Sequence, residues 1–215
     1  MSWLFPYVGG KHYLVDKILP YITPHKCYVE PFGGSAAVLL EKHPSPVEVY
    51  NDLDREMVNF LLVLRAAGSS KPILDRLVWL CASTPMARIV YYDWFRQDPT
   101  LLEPIDRAAR WYYVQVASVN GKSGWMHSKE ADKAWLWQLH TQRLPQAAQR
   151  FLNVTIECND FAKVIRTYDG PDTFFYVDPP YIGVEGIGDY YRHAPLFTEE
   201  HHRALATILA NIQGK

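Results

Sequence analysis

The chain has 215 residues, enough for one domain with a sizeable core or for a domain with an inserted subdomain. A composition of 48% hydrophobic and 21% charged residues excludes a disordered chain, and a formal net charge of −1 excludes a global positive field for nucleic acid. The three cysteines are dispersed, so we expect neither a disulfide framework nor a metal site. Without a long apolar run or a signal-peptide layout, the sequence predicts a cytoplasmic protein.

Four short apolar runs predict buried strands, and a glycine-rich turn and a helix follow the first of them. The predicted strands are residues 28–30, 47–52, 154–158 and 173–177. The turn comprises residues 31–35 and the helix after it residues 36–42, and an earlier helix is expected from near Lys11 to before Pro24. A strand, a glycine-rich turn and a helix in this order are the opening of a nucleotide-binding βαβ unit.

Acidic residues follow three of the predicted strands. Asp52 lies 19 residues after Gly33 (52 − 33), which is where doubly wound folds place the acid that binds a ribose hydroxyl. The alternative is a solvated aspartate that caps the next helix. Asp160 follows the third strand beside Phe161, whose ring suits a flat base, and Asp178 ends the fourth strand. Together these acids suit a ligand with a ribose and a flat base but little phosphate.

The segment Asp178-Pro179-Pro180-Tyr181 forms a stiff, extended corner, because proline has no N–H and biases the preceding residue to extended geometry. The Asp178 carboxylate and the Pro179 carbonyl are acceptors for one exocyclic amino group, and Tyr181 offers a ring to stack on the base that carries it. A strand-terminating turn with a solvated aspartate and a packed tyrosine is the alternative interpretation.

The region between the second and third strands is predicted to be helical, which indicates an insertion into a sheet domain. The predicted helices are residues 54–67, 71–82, 86–97, 103–118 and 131–149. The break at residues 118–129 carries Lys122 and Trp125 and is expected to be an exposed loop. An indole between cations suits base stacking with phosphate contacts, while a structural loop pinned by one aromatic explains it equally well. The other tryptophans are predicted to pack between helices: Trp79, Trp94, Trp111, Trp135 and Trp137.

The segment after the fourth strand is expected to move. Residues 182–195 contain three glycines and the run Tyr190-Tyr191-Arg192. We expect a lid or a substrate clamp here, with Tyr191 against the substrate. Thr198 is predicted to cap a final helix.

Five sequence blocks, in this order, resemble the Dam-like class of S-adenosylmethionine-dependent DNA adenine N6-methyltransferases. The blocks are FPYVGGK, YVEPFGGS, VYND, NDF and FFYVDPPY. The resemblance spans most of residues 5–200. It implies an α/β fold, a Rossmann-like methyltransferase sheet with helices on both faces. We therefore expect a catalytic domain of residues 1–55 and 151–215, with a mainly helical target-recognition subdomain inserted at residues 56–150.

The resemblance also implies a role for each matching residue. The residues expected to bind S-adenosylmethionine are Tyr7, Lys11, Phe32, Gly33, Gly34, Ser35, Asp52, Asp160, Phe161 and Asp178. The residues expected to be catalytic are Asp178, Pro179, Pro180 and Tyr181. The substrate is duplex DNA with a flipped adenine, whose N6 attacks the sulfonium methyl in line without a metal. The residues expected to contact it are Lys122, Trp125, Tyr181 and Tyr191.

The sequence departs from this class at two places. A large hairpin of the middle region usually reads DNA, and here the loop at residues 118–129 is the candidate for that role. The family's sheet usually continues with further strands, whereas this sequence stops at Lys215, which leaves the Asp178 strand near an exposed sheet edge. Either this is a truncated form, or something else covers that edge. The alternatives are a cytosine-N4 or RNA amino-methyltransferase, and an inactive DNA- or cofactor-binding remnant.

Overall fold

The structure is a computed structural model that describes residues 3–121, 124–126, 132–181 and 197–215. Within these residues, parallel strands form one sheet in the order β3-β2-β1-β4. The strands are β1 (Cys27–Glu30), β2 (Val47–Asn51), β3 (Val154–Glu157) and β4 (Thr173–Phe175). Each lies where the sequence predicted it, and β4 ends two residues earlier than expected. A mixed α/β fold with a parallel, Rossmann-like sheet is therefore confirmed.

Both faces of the sheet are buried, because consecutive residues of a strand point to opposite faces. Tyr28 and Tyr50 join the larger core, which contains the helices between β2 and β3. Val29 and Val49 join a second core on the other face. Strands that are covered on both faces read as continuous apolar runs, and that pattern made them recognisable in the sequence.

The helices surround this sheet, and most of them begin and end within two residues of the predicted positions. They are α1 (Val15–Ile18), α2 (Ala37–Glu41), α3 (Arg55–Ser69), α4 (Lys71–Ser83), α5 (Arg88–Arg96), α6 (Pro104–Ala117), α7 (Lys133–Gln142), α8 (Leu144–Phe151), α9 (Phe161–Tyr168) and α10 (Glu199–Leu209). The predicted N-terminal helix is much shorter than expected and continues as a 3-10 turn, Leu19–Tyr21. The single helix predicted at residues 131–149 was wrong, since α7 and α8 meet at Arg143 and Pro145 lies in the first turn of α8.

Two of the tryptophans predicted to be core are on the surface. Trp79 is 66% exposed and Trp135 is 57% exposed, whereas Trp111 and Trp137 are buried. The reason is helical geometry, because residues two apart on a helix point to nearly opposite sides. Trp135 precedes the buried Trp137 by two positions, and Trp79 precedes the buried Cys81 by two positions.

Helix α3 joins the inserted helices to the sheet. Its buried Phe60 stacks on Tyr112 of α6, with ring centroids 4.8 Å apart. Phe151 of α8 meets Tyr50 of β2 edge-on at 6.3 Å. The inserted helices thus share one continuous core with this face of the sheet. The division into a catalytic domain and a target-recognition subdomain stays a prediction.

The start of the chain is tied into the helices, which places residues 7–11 at the carboxyl edge of the sheet. The Leu4 carbonyl accepts hydrogen bonds from the Tyr112 hydroxyl (3.1 Å) and from His140 Nδ1 (2.9 Å). The Pro6 carbonyl accepts one from Gln115 Nε2 (2.7 Å). These bonds hold Tyr7 beside the glycine-rich turn.

The outer edge of β4 is covered by hydrogen bonds from the last residues, which is one of the two possibilities that the sequence left open. The Lys215 N–H donates to the Thr173 carbonyl (2.9 Å), and the Phe175 N–H donates to the Lys215 carbonyl (2.8 Å). The Asp169 carboxylate accepts the N–H groups of Gln213 and Gly214. Residues 213–215 therefore extend the hydrogen bonding of the sheet beyond β4.

In the part of the chain described, no helix has the length and apolarity that a membrane crossing requires.

Candidate active site

An open cleft lies at the carboxyl ends of the strands, the edge at which open α/β sheets bind ligands. Its empty volume, counted together with the solvent-open mouth, is about 1060 Å³. Every residue predicted for cofactor binding or catalysis lines it: Tyr7, Lys11, Phe32, Gly33, Gly34, Ser35, Asp52, Asp160, Phe161, Asp178, Pro179, Pro180 and Tyr181. The fold thus brings together residues that are up to 174 positions apart in sequence (181 − 7).

The glycine-rich turn after β1 leaves no room for side chains. A Cβ atom at Gly33 would lie 2.1 Å from the Tyr50 ring. Gly34 has a φ of +48°, and a Cβ there would lie 2.8 Å from Tyr7. The Gly33 N–H donates to the Asn51 carbonyl (2.7 Å), which ties the turn to the end of β2. The turn therefore presents bare backbone to the cleft.

Asp52 binds this turn and does not cap the next helix. Its Oδ2 accepts the Gly34 N–H and its Oδ1 accepts the Asp54 N–H, both at 2.9 Å. Asp54 is the residue that caps α3, accepting from the Glu56 N–H at 2.9 Å. Burial raises the pKa of Asp52 to about 6, although these backbone hydrogen bonds oppose the shift. The helix-cap interpretation of Asp52 is therefore wrong, and its carboxylate faces the cleft.

Asn51, which sequence reasoning missed, fastens three strand ends together. Its Nδ2 donates to the carbonyls of Pro31 (2.8 Å) and Asn159 (2.9 Å). Its Oδ1 accepts the Asn159 N–H at 2.8 Å. The amide is buried, and it spaces the loops that carry the turn and Asp160. The available signal was a polar residue at the end of an apolar strand, directly before an acid.

Glu30 is a second residue that the sequence reasoning missed, and it lines the floor of the cleft. Its side chain is buried, and Oε1 accepts hydrogen bonds from the Tyr28 hydroxyl (2.8 Å) and the Leu39 N–H (2.9 Å). Burial raises the pKa of Glu30 to about 8, against the opposing effect of these bonds. The carboxyl group therefore keeps its proton at neutral pH.

Lys11, predicted to bind the cofactor, forms an ion pair with the predicted catalytic acid. Its Nζ lies 2.5 Å from Asp178 Oδ2 and 2.7 Å from the Gly9 carbonyl oxygen. The same ammonium group lies 5.2 Å from the centroid of the Tyr181 ring. Burial alone lowers the pKa of Lys11, but the hydrogen bond and charge of Asp178 outweigh it and raise the pKa. The ammonium group therefore provides a permanent counter-charge for Asp178.

An aromatic wall closes the other side of the cleft. The Phe161 ring lies 5.4 Å from Phe32 and 5.6 Å from Phe197. Phe32 and Phe197 meet edge-on at 5.3 Å. Asp160 caps α9 by accepting the Ala162 N–H at 2.8 Å, which fixes the position of Phe161. Phe197 was not predicted, and it enters the cleft from the residues before α10.

Of the predicted substrate residues, Trp125 lies in a short hairpin outside the cleft. Ser118 pairs with Trp125 in an antiparallel bridge, and the Met126 N–H donates to the Ala117 carbonyl at 2.8 Å. The indole is partly buried, with its centroid 5.7 Å from that of Tyr91. Tyr181 lines the cleft and is 54% exposed. The other two, Lys122 and Tyr191, and the predicted lid at residues 182–195 lie outside the described residues.

Metal ligands do not cluster in the described part of the chain, where no group of three or more histidine, cysteine, aspartate or glutamate side chains is placed to hold an ion. The cleft instead combines bare backbone, buried carboxyl groups and aromatic rings. This combination suits an organic ligand with hydroxyl groups and a flat ring.

Comparison with known proteins gives two matches. The family described as D12 class N6 adenine-specific DNA methyltransferase matches residues 7–215. A DNA N-6-adenine-methyltransferase of Escherichia phage P1 is 24% identical over 226 aligned positions, which cover 97% of this chain and 29% of the phage protein. The chain therefore spans about three tenths of the length of that relative.

Proposed function

Because the chain belongs to the D12 class of N6 adenine-specific DNA methyltransferases, we propose that it transfers a methyl group from S-adenosylmethionine to the N6 amino group of adenine in DNA. The observation that carries the proposal is the convergence of the glycine-rich turn, Asp52 and the segment 178–181 in one cleft. These groups come from the ends of β1, β2 and β4, which are neighbours in the sheet.

The cleft fits S-adenosylmethionine, which supplies an electrophilic methyl group when bound. The turn at Gly33 and Gly34 carries no side chains, so its bare backbone can lie close to the methionine part of the cofactor. The Asp52 carboxylate accepts hydrogen bonds from ribose hydroxyl groups. The wall formed by Phe32 and Phe161 packs against the adenine ring of the cofactor, next to Asp160.

The segment 178–181 binds the target amino group. The Asp178 carboxylate and the Pro179 carbonyl accept its two hydrogens, which orients the nitrogen lone pair towards the cleft. Positive charge that develops on N6 is stabilised by these same acceptors. Lys11 orients Asp178 through Oδ2, and Tyr181 stacks on the target base.

Duplex DNA with a flipped adenine is the proposed substrate. The inserted helices of residues 56–150 form the proposed target-recognition subdomain. Its hairpin carries Trp125, whose partly exposed indole is the proposed stacking surface. Lys122 is the proposed phosphate contact, and Tyr191 is a further proposed contact with the substrate.

One experiment tests the reaction and the target together. The protein is incubated with S-adenosylmethionine and unmethylated duplex DNA, and the digested nucleosides are analysed by mass spectrometry. N6-methyladenine is the expected product. N4-methylcytosine, or product from RNA alone, would move the target to another exocyclic amine. A folded sample that binds the cofactor without forming any product would support the inactive remnant.

The variant Asp178→Ala tests the assigned catalytic role. We expect methyl transfer to be abolished, because the main acceptor for the amino group is lost, while calorimetry detects little change in cofactor affinity. The matched control is Asp172→Ala, at an exposed aspartate before β4 that pairs with Lys26. Equal losses of cofactor affinity and methyl transfer in Asp178→Ala would contradict the assignment.

A further inference from the structure

We propose that His202 of α10 is a positioning residue that holds the segment 178–181 in its reactive shape. The inference rests on the proposed methyl transfer and adds to it a residue that the five sequence blocks do not contain. His202 Nε2 lies 3.0 Å from the Pro180 carbonyl oxygen. A carbonyl oxygen only accepts hydrogen bonds, so Nε2 carries the proton and donates it.

The segment needs an external anchor because two of its residues are prolines. Neither Pro179 nor Pro180 has an N–H, so neither can donate to the sheet or to a turn. The Tyr176 N–H still donates to the Val29 carbonyl at 2.9 Å, as in the strand before it. After Tyr176, the hydrogen bond from His202 of α10 to the Pro180 carbonyl ties the segment to that helix.

The imidazole of His202 is held by a contact with Phe197 and by the anchoring of its helix. Its ring stands perpendicular to Phe197, with centroids 4.7 Å apart. The capping box of α10 fixes the first turn, since His201 Nδ1 lies 3.0 Å from the Thr198 nitrogen and 2.8 Å from its hydroxyl oxygen. Further along the helix, the buried Leu205 anchors α10 in the second core. The donor atom therefore has a well-defined position.

The hydrogen bond restrains ψ of Pro180, a backbone torsion that the proline ring leaves open. Proline fixes φ near −65° but leaves ψ to its surroundings. Holding the Pro180 carbonyl sets the peptide plane between Pro180 and Tyr181, and hence the direction in which the tyrosine ring leaves the backbone. Losing the bond should therefore misplace the target base more than it weakens cofactor binding.

The contact of His202 with Phe197 extends this role to the cofactor side. Phe197 also touches Phe32 and Phe161, the rings of the aromatic wall. One imidazole thus contacts both the segment that binds the target amino group and a side chain that packs on the wall. The wall has other supports in α9, so we expect its geometry to depend less on His202 than the segment does.

The test compares two substitutions of His202. His202→Leu removes the donor and keeps an apolar contact for Phe197, whereas His202→Gln retains an N–H donor on a side chain of similar reach. The control is Arg203→Gln, an exposed neighbour on the same helix that pairs with Glu199. For each protein we would measure kcat, the KM for DNA, the affinity for S-adenosylmethionine and thermal unfolding.

We expect His202→Leu to lower kcat roughly ten- to hundred-fold, the scale of a misplaced reacting group, with cofactor affinity almost unchanged. His202→Gln should recover a large part of that loss, and Arg203→Gln should match the wild type. An unchanged kcat in a folded His202→Leu protein would overturn the inference, as would a loss of cofactor affinity equal to the loss of kcat.

A second measurement separates this inference from the proposed function. In isotope-labelled histidine NMR spectra, a hydrogen-bonded imidazole N–H should give a slowly exchanging proton signal in the wild type that is absent from His202→Leu. Wild-type protein that shows this signal but no methyl transfer would contradict the proposed function alone. Wild-type protein that methylates DNA without such a signal would contradict the hydrogen bond from His202.

Discussion

Replacing the buried Glu30 by glutamine should remove a pH dependence from the stability of the protein. The glutamine carbonyl can still accept the hydrogen bonds from the Tyr28 hydroxyl and the Leu39 N–H, which both reach Oε1. Glutamine does not ionise, so the variant has no charge to desolvate at this position. The substitution therefore isolates the free energy of ionising one carboxyl group on the floor of the cleft.

The magnitude follows from the pKa of Glu30, which burial raises from the ordinary value of 4.5 to about 8 in the folded protein. Between these pH values the folded state keeps the proton and the unfolded chain loses it, so the folded state binds more protons. The free energy of unfolding therefore falls as pH rises through this window, by ~1.4 kcal/mol per pH unit. Over the whole window the loss reaches ~5 kcal/mol, and Glu30→Gln should not show it.

The assay is urea unfolding of both proteins at several pH values between 5 and 9. The quantity of interest is the difference in the free energy of unfolding between variant and wild type, because titrations common to both proteins cancel. We expect the difference to move in favour of Glu30→Gln as pH rises to about 8 and to level off above it. Glu200→Gln, at an exposed carboxyl group in the first turn of α10, provides the baseline. A difference that stays constant across this range would refute the reasoning.

Three further substitutions test the proposed site. Asp52→Ala should weaken S-adenosylmethionine binding by roughly 1–3 kcal/mol through a lost hydrogen bond, and an unchanged calorimetric affinity would contradict the ribose assignment. Trp125→Ala should weaken binding to duplex DNA in an anisotropy titration while cofactor affinity stays the same. Intact DNA affinity would leave its packing on Tyr91 as the role of the indole. Gly33→Ala should lower the unfolding temperature, because its Cβ would lie 2.1 Å from the Tyr50 ring and overpacking costs ~1–3 kcal/mol. An equal unfolding temperature would show that the turn can relax.

The strands, the glycine-rich turn and the acids at the strand ends could all be predicted from the amino-acid sequence. These features depend on local chemistry: apolar runs form buried strands, and only glycine fits a turn with positive φ against a neighbouring ring. In a parallel sheet, the residues that follow the strands all lie at the same edge, the one formed by the carboxyl ends. Asp52, Asp160 and Asp178 could therefore be assigned to one cleft before any coordinates were known.

Residue type alone predicted burial wrongly for some helical residues, because the direction in which a side chain points from the helix axis determines whether it is buried. Trp79 and Trp137 are both large apolar residues in predicted helices, yet Trp79 is exposed and Trp137 is buried. Their difference depends on which face of α4 and of α7 meets the core, and large apolar residues occur on both faces of these helices. The break at Arg143 has a different cause, because Pro145 in the first turn of α8 cannot continue the preceding helix.

Polar groups that meet across long sequence separations were not predictable from the sequence, because their contacts depend on how the elements pack. Lys11 and Asp178 are 167 positions apart, and the side chain of Asn51 reaches a loop 108 positions away. The hydrogen bond from His202 to Pro180 depends on how α10 packs on the second face of the sheet. The hydrophobic periodicity of the sequence does not predict such contacts, because each depends on the relative placement of two elements around a shared core. The same packing buries Glu30, and burial, which the residue type does not reveal, is what raises its pKa.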